Sequence, residues 1–550
     1  MTRTLLLCLT VLVTVGALPQ RAEAGGLFLT DRGTRPLGRG FAFVAGADDP
    51  QSIWYNPAGL GWSGQQLLLD ATMTFLRADF ARVDSGGNLL PTVSVDAAKL
   101  PIPMIAYSHP LRDDLVLGFG IHAPNASLLR WPRGVTVDGS GTCDATGEPM
   151  AGCEAAPQRY SLYSLEGSAF VNITPAVAYK PIPELSIGVG MHLLLGRFVG
   201  ETAISACDGF ICTQAENPEY DGLARFDLNP IVHPGFTLGA TYDGGMVRVG
   251  ASMVWWPGAV SGDAKLDVRL PSAPLFDGAR VEGDTARLEL DLPLMVRAGV
   301  EVRPMRTLRI ELAYVWEHWS TQDAARIEPN DIWIRDAVAI GDYQVGDINI
   351  PRNMNDVHSL RLGAELEAVE DTLTVSLGVN YENGSFDNAY LSPLTLDSRK
   401  VVLALGASVQ VKQGLFLDVS YGHIFMADPN VTNSAVPQPN PIRPPRSPDV
   451  PAPAGGAAFV GNGQYSMEAD IVGIGLRWQV DALSGTESAE RGDSDEETLD
   501  DETQPSDDVR PWHGGDDSTS ESDDGGVSDD PASGSATESE EGSPWYERPE

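Results

Sequence analysis

Apolar and polar residues alternate with period two over much of this chain, from about residue 65 to residue 480. The plainest run is Arg287-Leu-Glu-Leu-Asp-Leu-Pro-Leu-Met-Val-Arg-Ala-Gly-Val-Glu-Val-Arg303. In an extended chain Leu288, Leu290, Leu292, Leu294, Val296, Ala298, Val300 and Val302 share one side, and Arg287, Glu289, Asp291, Arg297, Glu301 and Arg303 the other. Such alternation marks a strand with one apolar face. Soluble strands usually stop after about five or six residues, and this run is much longer. A tilted strand crossing a bilayer needs about 9–11 residues in lipid plus its extensions, and turns its polar face to a wet lumen. The pattern therefore fits a membrane barrel better than a soluble sandwich.

The same reading gives fourteen candidate strands, at 65–81, 101–110, 113–123, 160–180, 184–203, 223–243, 245–257, 286–303, 306–320, 357–369, 371–385, 397–412, 414–427 and 466–481. An even number is the rule for bacterial single-chain barrels. The connections form a second test. Leu111-Arg-Asp, Pro181-Ile-Pro, Asp243-Gly-Gly, Pro304-Met-Arg, Val369-Glu-Asp and Lys412-Gln-Gly are tight, and they alternate with long stretches near 82–100, 124–159, 204–222, 258–285, 321–356, 386–396 and 428–465. Outer-membrane barrels sort their loops in this way, with short turns in the periplasm and long loops outside. Trp255, Trp256, Trp316, Trp319, Tyr381, Tyr421 and Trp478 fall near strand ends, where interfacial aromatic girdles sit. The expected fold is all-β, a transmembrane antiparallel β-barrel of about 14 strands over residues 63–481.

Composition sharpens this picture at three points. The only long apolar run, Leu5 to Leu18, follows Arg3 and leads to Ala22-Glu23-Ala24, a signal-peptide pattern that makes 1–24 a leader and the protein exported. Once Cys8 leaves with it, Cys143, Cys153, Cys207 and Cys212 remain. Two close pairs in an exported chain point to disulfides Cys143–Cys153 and Cys207–Cys212, and without nearby His pairs they do not resemble a zinc site. No metal or cofactor is expected. The net charge of −39 is concentrated at the end: residues 482–550 carry 23 Asp or Glu against Arg491, Arg510 and Arg548, and few apolar residues. That segment is expected to be a disordered acidic tail, and such charge excludes nucleic acid as a partner.

Ahead of the first strand lies Pro36-Leu-Gly-Arg-Gly-Phe-Ala-Phe-Val-Ala-Gly-Ala-Asp-Asp-Pro-Gln-Ser-Ile-Trp-Tyr-Asn-Pro-Ala-Gly-Leu60. Gly38, Gly40, Gly46 and Gly59 with Asp49-Pro50 and Asn56-Pro57 make a compact turn structure, not a strand. Residues Ala47 to Pro50 and Ile53 to Leu60, with weaker support from Arg32-Gly33 and Leu37-Gly38-Arg39, resemble the hatch of the FadL family of outer-membrane long-chain fatty-acid transporters. The resemblance extends over residues 25 to about 481. It implies a barrel plugged by a hatch at 25–62, an external apolar groove for capture, an interior pocket and lateral release into the membrane, past the lipopolysaccharide layer. No energy source is implied.

By that resemblance Asn56, Pro57 and Ala58 gate the hatch, and Leu27, Phe28 and Leu29 occlude the pocket. The third strand carries the wall opening, with Gly118, Gly120 and Pro124 as its weakening residues. A carboxylate ligand calls for an inward cation, for which Arg159, Arg297 and Arg361 are candidates. Trp131, Phe210, Ile211, Pro271, Leu275 and Phe276 are candidates for external capture. The last strand, Asp470 to Val480, resembles the closing strand read by the barrel assembly machinery, after which the tail would hang in the periplasm. The expected unit is a monomer in the outer membrane that carries long-chain fatty acids. An aromatic or alkane hydrocarbon channel of the same family is the alternative, and an adhesin or structural barrel with an interacting tail is one from another class. His122, His192, His318 and His423 are scattered with no Ser-His spacing, so no enzyme is expected.

Overall fold

The computed structural model describes residues 31–440 and 458–480 apart from 97, 124–128, 144–150, 166–167, 208–211, 213, 215, 229 and 339–340. The leader, Leu27 to Leu29, Pro124, Phe210, Ile211 and the acidic tail lie outside these residues.

Fourteen strands form the barrel wall: β1 Gln66–Arg82, β2 Ala98–Arg112, β3 Leu115–His122, β4 Ala169–Ile182, β5 Leu185–Arg197, β6 Ile231–Asp243, β7 Val247–Trp255, β8 Met295–Met305, β9 Leu308–Glu317, β10 Val357–Val369, β11 Leu373–Glu382, β12 Lys400–Lys412, β13 Leu415–Met426 and β14 Gly463–Gln479. Each falls within or overlaps one candidate segment. All neighbours are antiparallel, and β14 closes onto β1 in register from Gln66↔Gln479 to Arg82↔Gly463. Closure leaves the wall without edges, as a membrane span requires.

The polarity is inverted relative to a soluble protein. Outward residues such as Leu405 and Ile474 are 56% and 57% exposed, while Arg297, Arg361, Glu301 and Glu311 are 0% exposed in the lumen. The apolar band thus faces outward and the charges inward, which suits lipid outside and a polar interior. No helix among the described residues is long and apolar enough to cross a membrane, and the strands do the crossing. Leu377, near the middle of β11, is the most exposed large apolar side chain among the described residues, at 68%. Leu377→Arg is expected to lower barrel stability in lipid by about 2–4 kcal/mol, read as an earlier midpoint in urea-driven unfolding from vesicles.

Four candidate segments were longer than the strands that span, and the structure divides or trims them. The run 286–303 is two strands: Thr285–Leu290 belongs to a sheet in the loops, and β8 begins at Met295. Residues 291–294 between them carry no strand pairing, and Pro293 has no N–H to give to a ladder. Leu288, Leu290 and Leu292, expected on the lipid side, line an internal cavity instead. Period two reports an apolar side, not which apolar environment it meets. For the same reason 184–203 divides into β5 and Val199–Ser205, 223–243 divides into Asp221–Leu228 and β6, and 160–180 reaches the wall only from Ala169.

The loop strands form a six-stranded sheet in the order Val199–Ser205, Asp221–Leu228, Val260–Arg269, Thr285–Leu290, Ala324–Asn330, Ile348–Pro351. A three-stranded sheet of Arg280–Glu282, Trp333–Ala337 and Gly341–Gln344 packs on it through Ile332, Ile334, Ala337 and Val345 against Ile204, Leu266 and Ile327. All of this lies at the long-loop end, which is external by the loop-length rule. Cys143 bonds Cys153 within a small sheet of the β3–β4 loop, and Cys207 bonds Cys212 in the β5–β6 loop.

Candidate functional site

Residues 31–63 fill the lumen as a plug. Two helical turns, Thr34–Gly38 and Ser52–Tyr55, and a 3-10 turn, Pro57–Trp62, make up its regular structure. Asn56 is the hinge between the last two. Its backbone is extended, its Oδ1 accepts from Ala58 N at 3.2 Å, and Pro57 occupies the first helical position, where its missing N–H costs nothing. The Asn56 Nδ2 donates to Val44 O at 3.0 Å and to Thr241 Oγ1 at 2.8 Å, so the motif is tied both to the plug and to β6.

A buried charge network holds the plug to β8, β9 and β10. Arg39 is 0% exposed and faces Glu301 at 3.0 Å, Glu311 at 2.9 Å and Glu365 at 2.9 Å. The Glu311 carboxylate also accepts from Val44 N, Ala45 N and Gly46 N at 2.7, 2.8 and 2.9 Å. Arg35 pairs with Asp48, Asp49 and Glu365, and Arg309 with Asp48 and Glu301. Hydrogen bonds in which both partners are charged are roughly twice as strong as neutral ones. The network therefore fixes the plug's register as well as its depth.

The fit is close all round. A Cβ on Gly378 of β11 would stand 2.0 Å from the Arg39 carbonyl carbon, one on Gly239 of β6 2.1 Å from Asn56 Oδ1, and one on Gly188 of β5 2.3 Å from Ala58 N. Gly118 and Gly120 on β3 belong to this belt: added Cβ atoms would meet Leu60 at 2.6 Å and Ile53 at 1.9 Å. Both glycines remain in the ladder, opposite Ser108 and Ala106 on one side and Ala176 and Thr174 on the other. Their smallness makes room for the plug. Within the plug, Gly40 has φ 59° and the β11 backbone 2.7 Å from its would-be Cβ, so both conformation and space require glycine there.

Pairing of β3 ends at His122 among the described residues, whereas β2 continues against β1 to Ala98 and β4 against β5 to Ala169. The next bond, from Ala123 N to Pro103 O at 3.2 Å, extends this pairing, and residues 124–128 that follow lie outside the described residues. Beyond them are the bridges Asp96↔Arg130 and Arg130↔Ser164.

Between wall strands β4 to β6 and the six-stranded loop sheet lies an apolar cavity of about 1600 Å³ counting its open mouth. Phe170, Leu194 and Ile231 line it from the wall, and Phe198, Phe226, Leu288, Leu290, Ile327, Ile348 and Ile350 from the loops. Phe170 stands on β4 two residues before Asn172, where pairing with β3 ends among the described residues. A smaller apolar pocket of about 460 Å³ inside the loop sandwich shares Ile348 with the large one.

The structure separates the three arginines expected to meet a carboxylate. Arg159 is paired with Asp221 at 2.7 Å in the loops. Arg297 donates to Trp54 O at 2.9 Å and lies 5.0 Å from the Trp54 ring. Arg361 is paired with Asp31 at 2.8 Å. None of the three lines the cavity. Of the capture residues, Trp131 is 2% exposed and donates to Pro393 O, Phe276 is buried and shares the smaller pocket with Pro271, and Leu275 packs beside it. Sequence reasoning missed Arg352, which does line the cavity. It lies in a long loop without periodicity, and its only local sign is Pro351 before it.

A closed fourteen-stranded barrel, plugged from within and holding an apolar chamber under its loops, is a channel for hydrophobic molecules and not an enzyme. The chain belongs to the family described as outer membrane protein transport protein (OMPP1/FadL/TodX), whose sequence profile matches residues 168–444. It is thus an outer-membrane protein. A Pseudomonas aeruginosa FadL homologue shares the fold at 15% identity and a TM-score of 0.63, covering 83% of this chain and 100% of that one. The Pseudomonas putida toluene transporter TodX does so at 13% identity and 0.55, over 83% and 100%. The Ralstonia pickettii toluene transporter TbuX does so at 14% and 0.51, over 82% and 99%. No curated protein matches the sequence.

Proposed function

We propose that this protein is a passive channel for long-chain fatty acids and similar hydrophobic molecules, which enter the cavity from the loop end and leave sideways into the membrane. The observation that supports this reading is the cavity itself, apolar for the most part and lined by Phe170, Leu194 and Ile231 of the wall and by Leu288, Ile327 and Ile348 of the loops. A vertical path would have to pass a plug bound by ion pairs and fitted against glycines. A sideways path starts from wall residues Phe170, Leu194 and Ile231, which are apolar. In this reading Asn56, Pro57 and Ala58 act as the plug's anchor on β5 and β6, and the plug is a seal that keeps ions from following the ligand.

A hydrocarbon channel is the second reading, favoured by the predominance of Leu, Ile, Phe and Val around the cavity and by the toluene transporters among the similar structures. Uptake of labelled oleate and labelled toluene by cells producing the protein tests both. Oleate uptake above that of cells lacking the protein supports the fatty-acid reading. Toluene uptake alone transfers the function to hydrocarbons, and neither, from a correctly inserted barrel, returns it to adhesion or structure.

A further inference from the structure

Building on the cavity as ligand chamber, one side chain in it distinguishes among hydrophobic ligands. Arg352 is the only cation lining the cavity among the described residues. Its Nη1 donates to Gln322 Oε1 at 3.3 Å and its Nε is buried without an acceptor. Burial pushes the guanidinium down to about 10, with no carboxylate nearby to raise it. The contrast with the plug is direct, since Arg35, Arg39 and Arg309 each meet two or more carboxylates. The one acid in the lining, Asp347, is separated from Arg352 by the strand Ile348–Pro351, a distance of about 16 Å at the rise of an extended chain.

An unmatched guanidinium in an apolar chamber is costly, and a carboxylate satisfies it with two parallel hydrogen bonds. A hydrocarbon leaves it unsatisfied. Its position in the ring matters equally. Arg352 leads into β10, and β10 stands six places from β4 in a ring of fourteen, which puts Arg352 across the cavity from Phe170. Phe170, Leu194 and Ile231, on β4, β5 and β6, line the other side of the same cavity.

We propose that Arg352 is the headgroup station for a long-chain monocarboxylate, whose tail then lies across the barrel toward β4, so that the molecule enters the membrane tail first. One arginine without a carboxylate partner in a mostly apolar lining makes the ligand an amphiphile with a single acidic end.

The test uses the purified full chain in detergent, with oleate and octadecene as probes, and crystals soaked with an ω-bromo long-chain fatty acid. Arg352→Gln is expected to weaken oleate binding about tenfold and to leave octadecene binding unchanged, with Arg352→Lys retaining part of the oleate affinity. The bromine is expected beside Leu194 and Ile231. Oleate bound equally by wild type and Arg352→Gln overturns the headgroup station. A bromine beside Arg352 overturns the tail-first orientation. Failure of wild type to bind either probe overturns the cavity itself as the ligand chamber, and the proposed function with it.

Discussion

Arg39→Leu is expected to unseat the plug and turn a sealed barrel into one that conducts ions. The substitution removes the only cation that touches Glu301, Glu311 and Glu365 together among the described residues, and all three are buried. Arg309 still serves Glu301 and Arg35 still serves Glu365. Glu311 is then left with backbone N–H donors alone. Breaking a buried pair by removing one partner costs about 3–5 kcal/mol, and here the cost falls on docking of the plug, since the wall is closed by its own ladder. Planar-bilayer conductance should rise, and protease should reach residues 31–63, while the barrel keeps its heat-modifiable migration in gels. Adding Glu311→Leu should recover part of the seal, because the unmatched carboxylate goes with it. If conductance stays at the wild-type level, the glycine belt alone retains the plug.

The strands were legible because alternation over a dozen residues is a strong signal, and because turns and loops sorted by length checked it independently. The turns of residues 31–63 carry local motifs, Asn56-Pro-Ala58 and Asp48-Asp-Pro50, whose turn chemistry does not depend on the rest of the fold. What sequence reasoning could not supply was which partners meet. Glu301 and Arg303 were visible as the polar side of one strand, but Arg303 faces Asp243 and Glu301, while Arg39 comes from more than 260 residues away. Gly118 and Gly120 read as points of weakness, since a glycine in a strand shows no sign of what presses against it. The loop sheet was absorbed into the barrel strands for a related reason. Leu288, Leu290 and Leu292 alternate as lipid-facing leucines do, and only the break at 291–294 assigns them to the chamber.

Ala325→Trp is expected to abolish ligand uptake without disturbing the barrel. Ala325 is 5% exposed, sits on the loop strand Ala324–Asn330 opposite Ile350, and lines the cavity beside Ile327 and Ile348. Its side chain meets the chamber where a small residue leaves space, and an indole there would occupy the volume a ligand needs. The loop strand lies outside the membrane ladder, so β1 to β14 keep every pairing. The strain of overpacking, typically about 1–3 kcal/mol, is borne by the loop sheet. Binding of oleate and of octadecene should fall together, which separates this variant from Arg352→Gln, where only oleate binding weakens. Conductance should stay at the sealed level, which separates it from Arg39→Leu. Normal uptake from an Ala325→Trp barrel would mean that ligands bypass the chamber, and with it the route from the loops to the β3–β4 wall.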